Sequence, residues 1–183
     1  MPATEKEFFD YELSIGVTPE NPDYFTLMDS VANIIKNYSR NVIEIGAGMG
    51  TLGECLIHKG CDYYGIEPNT YHRKFAKSRG IQLHDLRGYP SHCQMIVSIE
   101  VFEHLTDEQI NEYLESIEAE YFYFSSTPYH TTEEFDAWWG HINIKSEDEW
   151  INFFAEYGFR LYKKLTVPTE WSLLFKNENR KTS

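Results

Sequence analysis

Residues 42–50 read Val42-Ile43-Glu44-Ile45-Gly46-Ala47-Gly48-Met49-Gly50, a short β-branched run carrying one acid and running straight into three glycines at alternate positions. The run predicts a buried strand, and the glycines predict a tight turn into a helix, where a ligand can lie against backbone that has no Cβ to block it. The first turn of such a helix offers unpaired N–H groups and the positive end of a dipole.

The pattern extends outward from this stretch in both directions. Upstream, Asn21-Pro22 reads as an N-cap and first helical residue, and Leu27, Val31, Ile34 and Tyr38 keep helical spacing. Downstream come a helix from Gly50 to Lys59 closed by Gly60, a strand over Asp62–Ile66, and a helix with Tyr71 and Phe75 inward. A short strand over 81–84 follows, then a central strand Met95–Ile99. Thr106-Asp107-Glu108-Gln109 and Ser146-Glu147-Asp148-Glu149 are capping boxes that open two further helices, with a strand over Tyr121–Ser125 between them. Residues 129–145 read as irregular, and two closing strands, about 160–167 and 171–176, flank Pro168. Strands joined by so few residues must be antiparallel. The expected fold class is α/β: a doubly wound, mostly parallel seven-stranded sheet with an antiparallel last strand. Residues 1–20 read as an N-terminal arm or lid, 21–176 as the domain, and 177–183 as a polar tail.

Bulk properties narrow the partners. The chain of 183 residues has a net charge of −13, which argues against a non-specific nucleic-acid binder. Three cysteines without a CxxC pair suit reduced thiols and a cytoplasmic protein. The start Met-Pro-Ala-Thr-Glu-Lys-Glu carries no signal-peptide pattern, no apolar run reaches membrane-spanning length, and no feature sets an oligomeric state.

Two ligands use a strand–glycine–helix turn of this kind: a dinucleotide and S-adenosylmethionine. The dinucleotide fingerprint G-x-G-x-x-G, framed from the strand end, gives Gly46, Gly48 and then Thr51, so it fails. The frame Gly48, Gly50, Gly53 matches but begins too far from the strand. Glu44 is a second objection, since an acid has no use beside an anionic pyrophosphate and suits a ligand bearing an ammonium and a sulfonium.

The stretch resembles the first motif of class I S-adenosylmethionine-dependent methyltransferases. Glu67, at the end of the second strand, matches the acid that binds the ribose hydroxyls, and Asp85 stands where that family meets the adenine amino group. Ser98-Ile99-Glu100-Val101-Phe102-Glu103-His104-Leu105 resembles the segment after the fourth strand. The resemblance implies S-adenosyl-L-methionine as methyl donor, with Glu44, Gly46, Ala47, Gly48, Gly50, Glu67, Asp85 and Glu100 in its site. Methyl transfer is an in-line displacement whose catalysis lies mainly in positioning, and an oxygen acceptor also needs a proton removed by a side chain or with a metal's help.

Glu100, Glu103 and His104 would share one side of a helical turn, and His141 in Trp-Trp-Gly-His-Ile-Asn would fold back over it. The quartet resembles the metal set of small-RNA 3′-end 2′-O-methyltransferases, and part of it that of ubiquinone-pathway O-methyltransferases. It would hold a divalent metal (Mn, Mg, Fe or Zn); without one, His104, His141 and Glu103 would act as a base and its partners. The leading expectation is methyl transfer to oxygen of a small-molecule acceptor. The alternatives are a metal-assisted 2′-O-methyltransferase of a nucleic-acid end and a non-catalytic S-adenosylmethionine-binding protein. Tyr129 and His130 read as pocket lining or exposed loop, Asn69 as an adenosine contact or a helix cap, and His58, His72, His84 and His92 as solvated.

Overall fold

The computed structural model describes residues 3–179. Helices and strands alternate as α1 (Glu5–Ser14), α2 (Pro22–Lys36), β1 (Asn41–Ile45), α3 (Thr51–His58), β2 (Asp62–Ile66), α4 (Thr70–Ser78), β3 (Leu83–His84) and β4 (Met95–Ile99). After a 3₁₀ turn over Phe102–His104 come α5 (Asp107–Ser116), β5 (Tyr121–Ser125), α6 (Glu133–Trp139), α7 (Glu147–Ala155), β6 (Phe159–Lys164) and β7 (Leu173–Asn177). The seven strands are ordered β3-β2-β1-β4-β5-β7-β6. β1, β2 and β3 pair in parallel, as do β4 and β5, while β7 runs antiparallel to both β5 and β6. This is the doubly wound, mostly parallel α/β sheet with an antiparallel last strand that the sequence pattern implies.

The chain divides into two compact units, with the boundary between Tyr89 and Pro90. In residues 3–89, β1 buries Val42, Ile43, Glu44 and Ile45, the continuous burial of a parallel strand covered on both faces. Asn21 caps α2 through its side chain, and Met28, Val31, Ala32 and Ile35 form the buried stripe of that helix. Leu52, Cys55 and Leu56 do the same for α3.

The N-terminal stretch contains a capped helix: Thr4 and Glu7 form a reciprocal capping box at the start of α1. One expectation is corrected in this unit. On α4 the buried positions are His72 and Ala76, while Tyr71 is exposed. Phe9 of α1 packs against Tyr71 and Phe75, so those two rings meet a helix instead of the sheet.

In residues 90–179 the core is aromatic: Phe102, Phe122, Phe124, Trp150, Phe154, Phe159 and Phe175 are all buried. Phe102 lies 5.7–6.3 Å, ring centre to ring centre, from Phe122, Phe124, Trp150 and Phe154. Emptying such a site costs about 3–5 kcal/mol, so Phe102 anchors the turn that carries Glu103 and His104. Both predicted capping boxes form, at Thr106–Gln109 and Ser146–Glu149. Residues 133–139, expected to be irregular, are the helix α6, capped by Thr132 and closed by Gly140 in the left-handed region.

Candidate functional site

In residues 3–89 the glycine turn is tied to the second strand at its base, where Gly46 N–H and Ala47 N–H both donate to the Ile66 carbonyl (2.9 and 3.0 Å). Gly46, Gly48 and Gly50 all lie at positive φ. A Cβ on Gly48 would meet nothing within 4 Å, whereas one on Gly50 would press on Ala76 and Ile81 at 3.2 Å. Gly48 therefore faces open space and Gly50 faces packing.

Glu67 closes the other side of the turn. Its Oε2 accepts from Gly48 N–H at 2.7 Å, and its Oε1 accepts from Asn69 N–H at 2.7 Å. Each oxygen keeps a second lone pair, so the carboxylate can still accept from a vicinal diol. Arg73 fixes the strand end by donating to the carbonyls of Glu67 and Pro68, both at 2.6 Å. Asp85 is more open: its side chain is 68% exposed, one oxygen accepts from Leu86 N–H, and the other lies 3.7 Å from the Arg73 guanidinium.

Glu44 is buried, and desolvation raises its carboxyl to about 8 against the opposing hydrogen bond from Tyr63. The Tyr63 hydroxyl donates to Glu44 Oε2 at 2.5 Å. Tyr63 was not singled out in the sequence, yet two glycines betray it. A Cβ on Gly53, inside α3, would stand 2.5 Å from the Tyr63 ring, and one on Gly65, inside β2, would strike its hydroxyl. A glycine in the interior of a helix or strand calls for this kind of close-approach explanation.

In residues 90–179 the chain turns sharply after β4. Glu100 sits at φ 53°, a non-glycine residue in the left-handed region. Its carboxylate is held by the hydroxyls of Ser125 and Thr127 and by the Trp171 indole N–H. The metal-ligating atoms of Glu103, His104 and His141 all lie within 4.8 Å of one another. Glu100 stands outside that group of three, its oxygens committed to the end of β5, to Thr127 just after it and to the loop before β7.

The local chain explains how His141, more than thirty residues away in sequence, reaches Glu103. Ile142 N–H and Asn143 N–H both donate to the Glu103 carbonyl, at 2.8 and 3.0 Å. Asn143 also donates to the Leu105 carbonyl and to Asp107, and Lys145 pairs with Asp107 at 2.6 Å. The imidazoles of His104 and His141 are 4.9 Å apart, centre to centre.

Burial and the neighbouring Glu100 charge raise the Glu103 carboxyl to about 8, although Ser126 donates to it at 3.0 Å. His104 moves the other way, to about 4, through burial and then the proximity of His141. Asp136, absent from the sequence reasoning, orients the second imidazole: its Oδ1 lies 3.3 Å from His141 Nδ1 and its backbone carbonyl accepts from His141 N–H. Its Thr131 and His130 contacts hold the Asp136 carboxyl below its ordinary value, Thr131 being the larger influence. Tyr129 and His130 are exposed, at 54% and, for the His130 side chain, 75%. Of the histidines expected to be solvated, His72 is buried at 2%, and His84 is half-buried with its ring stacked on Tyr64.

Residues 23–164 match the family model of the methyltransferase domain. The chain belongs to that family. It carries a methyltransferase domain over most of its length. An uncharacterized methyltransferase of Oceanobacillus iheyensis is 35% identical over 86 residues, which are 43% of this chain and 40% of the relative. The match thus covers well under half the length of that relative. Among solved structures, magnesium protoporphyrin IX methyltransferase from Synechocystis superposes with a TM-score of 0.63 at 14% identity, covering 83% of this chain and 81% of that one. Mitomycin 7-O-methyltransferase MmcR gives 0.60 at 16% identity over 86% of this chain and 54% of its own. The methyltransferase domain of bacterial CtHen1 gives 0.59 at 18% identity over 81% and 95%. At these identities the likeness is one of fold. No described helix of the methyltransferase is long and apolar enough to cross a membrane.

Proposed function

We propose that the methyltransferase transfers its methyl group to an oxygen of a small-molecule acceptor, activated where Glu103, His104 and His141 come together. The observation that carries this is the convergence of one carboxylate and two imidazoles to within 4.8 Å of one another. A site made of one oxygen and two nitrogen donors suits Mn, Fe or Zn better than Mg or Ca. A divalent cation held there would supply Lewis acidity that lowers the pKa of an acceptor hydroxyl. His104 fits such a role: lowered to about 4, the ring at neutral pH is in the uncharged form a ligand requires. The same shift makes it a poor general base at neutral pH. Asp136 would act as the outer partner that orients His141.

The donor belongs to the glycine turn. Glu44, buried and pushed up to about 8, would regain its charge beside the donor's ammonium. Gly46, Ala47, Gly48 and Gly50 would carry the aminoacyl end, Glu67 the ribose hydroxyls and Asp85 the adenine amino group. Glu100, with both oxygens engaged by its own chain, would support the turn after β4 that leads to Glu103.

A second reading, with His141 as general base and no metal, is favoured by the Asp136–His141 pair, which has the order of an orienting acid behind an imidazole. Elemental analysis after purification without chelator separates the two. Stoichiometric Mn, Fe or Zn, lost in Glu103→Gln and His141→Ala, supports the metal reading, and full activity in metal-free protein supports the base. Product analysis on hydroxylated and phenolic acceptors tests the substrate class. Methylation confined to the terminal ribose of an RNA oligonucleotide would overturn the small-molecule assignment.

A further inference from the structure

We propose that His72 is a positioning residue of the donor site, a buried imidazole that ties the N-terminal helix α1 to the ribose-binding acid Glu67. The inference rests on the assignment of Glu67 to the ribose. His72 sits in the first turn of α4, and its side chain is 2% exposed. Its Nε2 lies 2.6 Å from Glu12 Oε2 on α1, and its Nδ1 lies 3.4 Å from Glu67 Oε1. Neither contact has hydrogen-bond angles, and both nitrogens are otherwise unpartnered. The ring acts as a charge between two acids and leaves the Glu67 lone pairs to other donors.

The rest of the contact surface shows why the ring is trapped there. Phe8 and Phe9 of α1 pack on the imidazole with ring centres 6.1 and 5.6 Å away. Asn69 Nδ2 donates to the Glu5 carbonyl at 2.9 Å, and Thr70 N–H donates to the Glu5 carboxylate at 3.0 Å. The start of α4 is therefore bound to α1 at three points, with His72 the innermost and the one that touches Glu67. Without the imidazole, Glu12 and Glu67 would be two acids facing one buried space, and their repulsion would separate the helix from the turn.

Burial alone would lower the His72 pKa, but Glu12 and then Glu67 outweigh it and hold the ring at about 9, so it is charged at neutral pH. The titratable groups against the ring are Glu12 from α1 and Glu67 from the end of β2, and Tyr24 of α2 is coupled to Glu12. The Tyr24 phenol is raised by burial and by Glu12. Glu44, raised to about 8, is coupled to Glu67 and titrates in a neighbouring range.

The test uses the full chain and 5′-methylthioadenosine, which carries the donor's adenine and ribose but no amino group that titrates near pH 9. Its dissociation constant is measured by calorimetry from about pH 7 to about pH 10 for wild type, His72→Gln, Glu12→Gln and Glu67→Ala. At neutral pH His72→Gln should bind on the order of tenfold more weakly than wild type, the size of a coupling between adjacent groups. The ratio of the two constants should fall toward one as the pH passes about 9 and the wild-type ring loses its proton. Comparing the ratio removes the titration of Glu44, which both proteins share. Glu12→Gln should bind severalfold more weakly and speed amide exchange in residues 5–14. It also carries the test if His72→Gln does not fold.

Loss of binding in Glu67→Ala together with wild-type binding by His72→Gln at every pH overturns the role of His72. Unchanged binding and exchange in Glu12→Gln overturns the tie to α1. Normal binding in Glu67→Ala strikes instead at the ribose assignment on which both rest.

Discussion

Glu44 and Glu103 are both buried acids near the carboxyl end of a parallel strand, and burial raises both to about 8. Their surroundings make them different instruments. Glu44 is met by one phenol, that of Tyr63, and no described cation pairs with it. Glu103 stands beside two imidazoles and a second acid, within a set of ligand atoms less than 5 Å across. The first arrangement suits a cation that arrives with the substrate and leaves with the product. The second suits one that stays. The two acids also differ in how they are built: Glu44 belongs to a strand and turn that are continuous in sequence, whereas Glu103 depends on a loop that returns from residue 140 onward.

The comparison can be broken most sharply by His104→Ala. It should reduce kcat by roughly 100- to 1,000-fold, as expected for loss of an acid–base or ligand group, while leaving donor affinity within twofold. A matching loss of S-adenosylhomocysteine binding would mean that the two centres do not divide the work as proposed. Glu67→Ala is the converse. Removing the carboxylate that accepts the ribose hydroxyls should weaken donor binding by about 100-fold, given about 1.5–3 kcal/mol per hydrogen bond to a charged group, with isothermal titration as the readout.

A third expectation concerns packing behind Glu44. In Gly53→Ala the new methyl group would stand 2.5 Å from the Tyr63 ring. Overpacking costs about 1–3 kcal/mol, against about 1 kcal/mol gained from helix propensity. Urea denaturation should therefore show a net loss of stability, accompanied by weaker donor binding because the phenol is displaced from Glu44.

The pH dependence of folding sharpens the pairing further. Glu44, Glu103 and His72 each hold a proton more tightly in the folded than in the unfolded protein, at about 8, 8 and 9. Protons that only the folded state retains stabilise it until they are lost. Stability should therefore fall as pH rises from about 4.5 through about 8 for the two acids, with His72 adding to the fall from about 6.5 to about 9. His104, lowered to about 4, contributes the opposite slope, but only between its folded value and its ordinary one near 6.5. Urea midpoints at the two ends of the window measure the fall, and saturating donor should flatten the part that belongs to Glu44. The smallest effect is expected for Asp85→Asn. With its side chain 68% exposed, this residue should change donor affinity by less than about twofold.

The elements themselves were legible because their signals are local. β1, β2, β4 and β5 fall where the apolar runs place them, and the capping boxes at Thr106 and Ser146 open helices as read. The same device at Thr4–Glu7 opens α1, but that helix has no buried residue of its own and hence no apolar period to notice. α6 was hidden for a related reason, as its one buried side chain is the acid Asp136. On α4 the apolar-looking Tyr71 lies outside and the polar His72 inside, because two carboxylates reward a buried imidazole more than the core rewards a phenol. No pattern of hydrophobicity can report that exchange. The meeting of His141 with Glu103 and His104 was foreseeable only through resemblance, since hydrogen bonds from residues 142 and 143 to a distant carbonyl leave no mark in the spacing.

The trio Tyr63, Gly53 and Gly65 has a consequence for how this protein can change over generations. A side chain cannot be acquired at position 53 or 65 while the Tyr63 ring remains, because its atoms already occupy that space. Nor can the ring be surrendered first without depriving Glu44 of its hydroxyl donor. Substitution at any of the three is thus contingent on the history of the others, and on Glu44 itself. Lineages that keep the acid should inherit the two glycines and the tyrosine as one character.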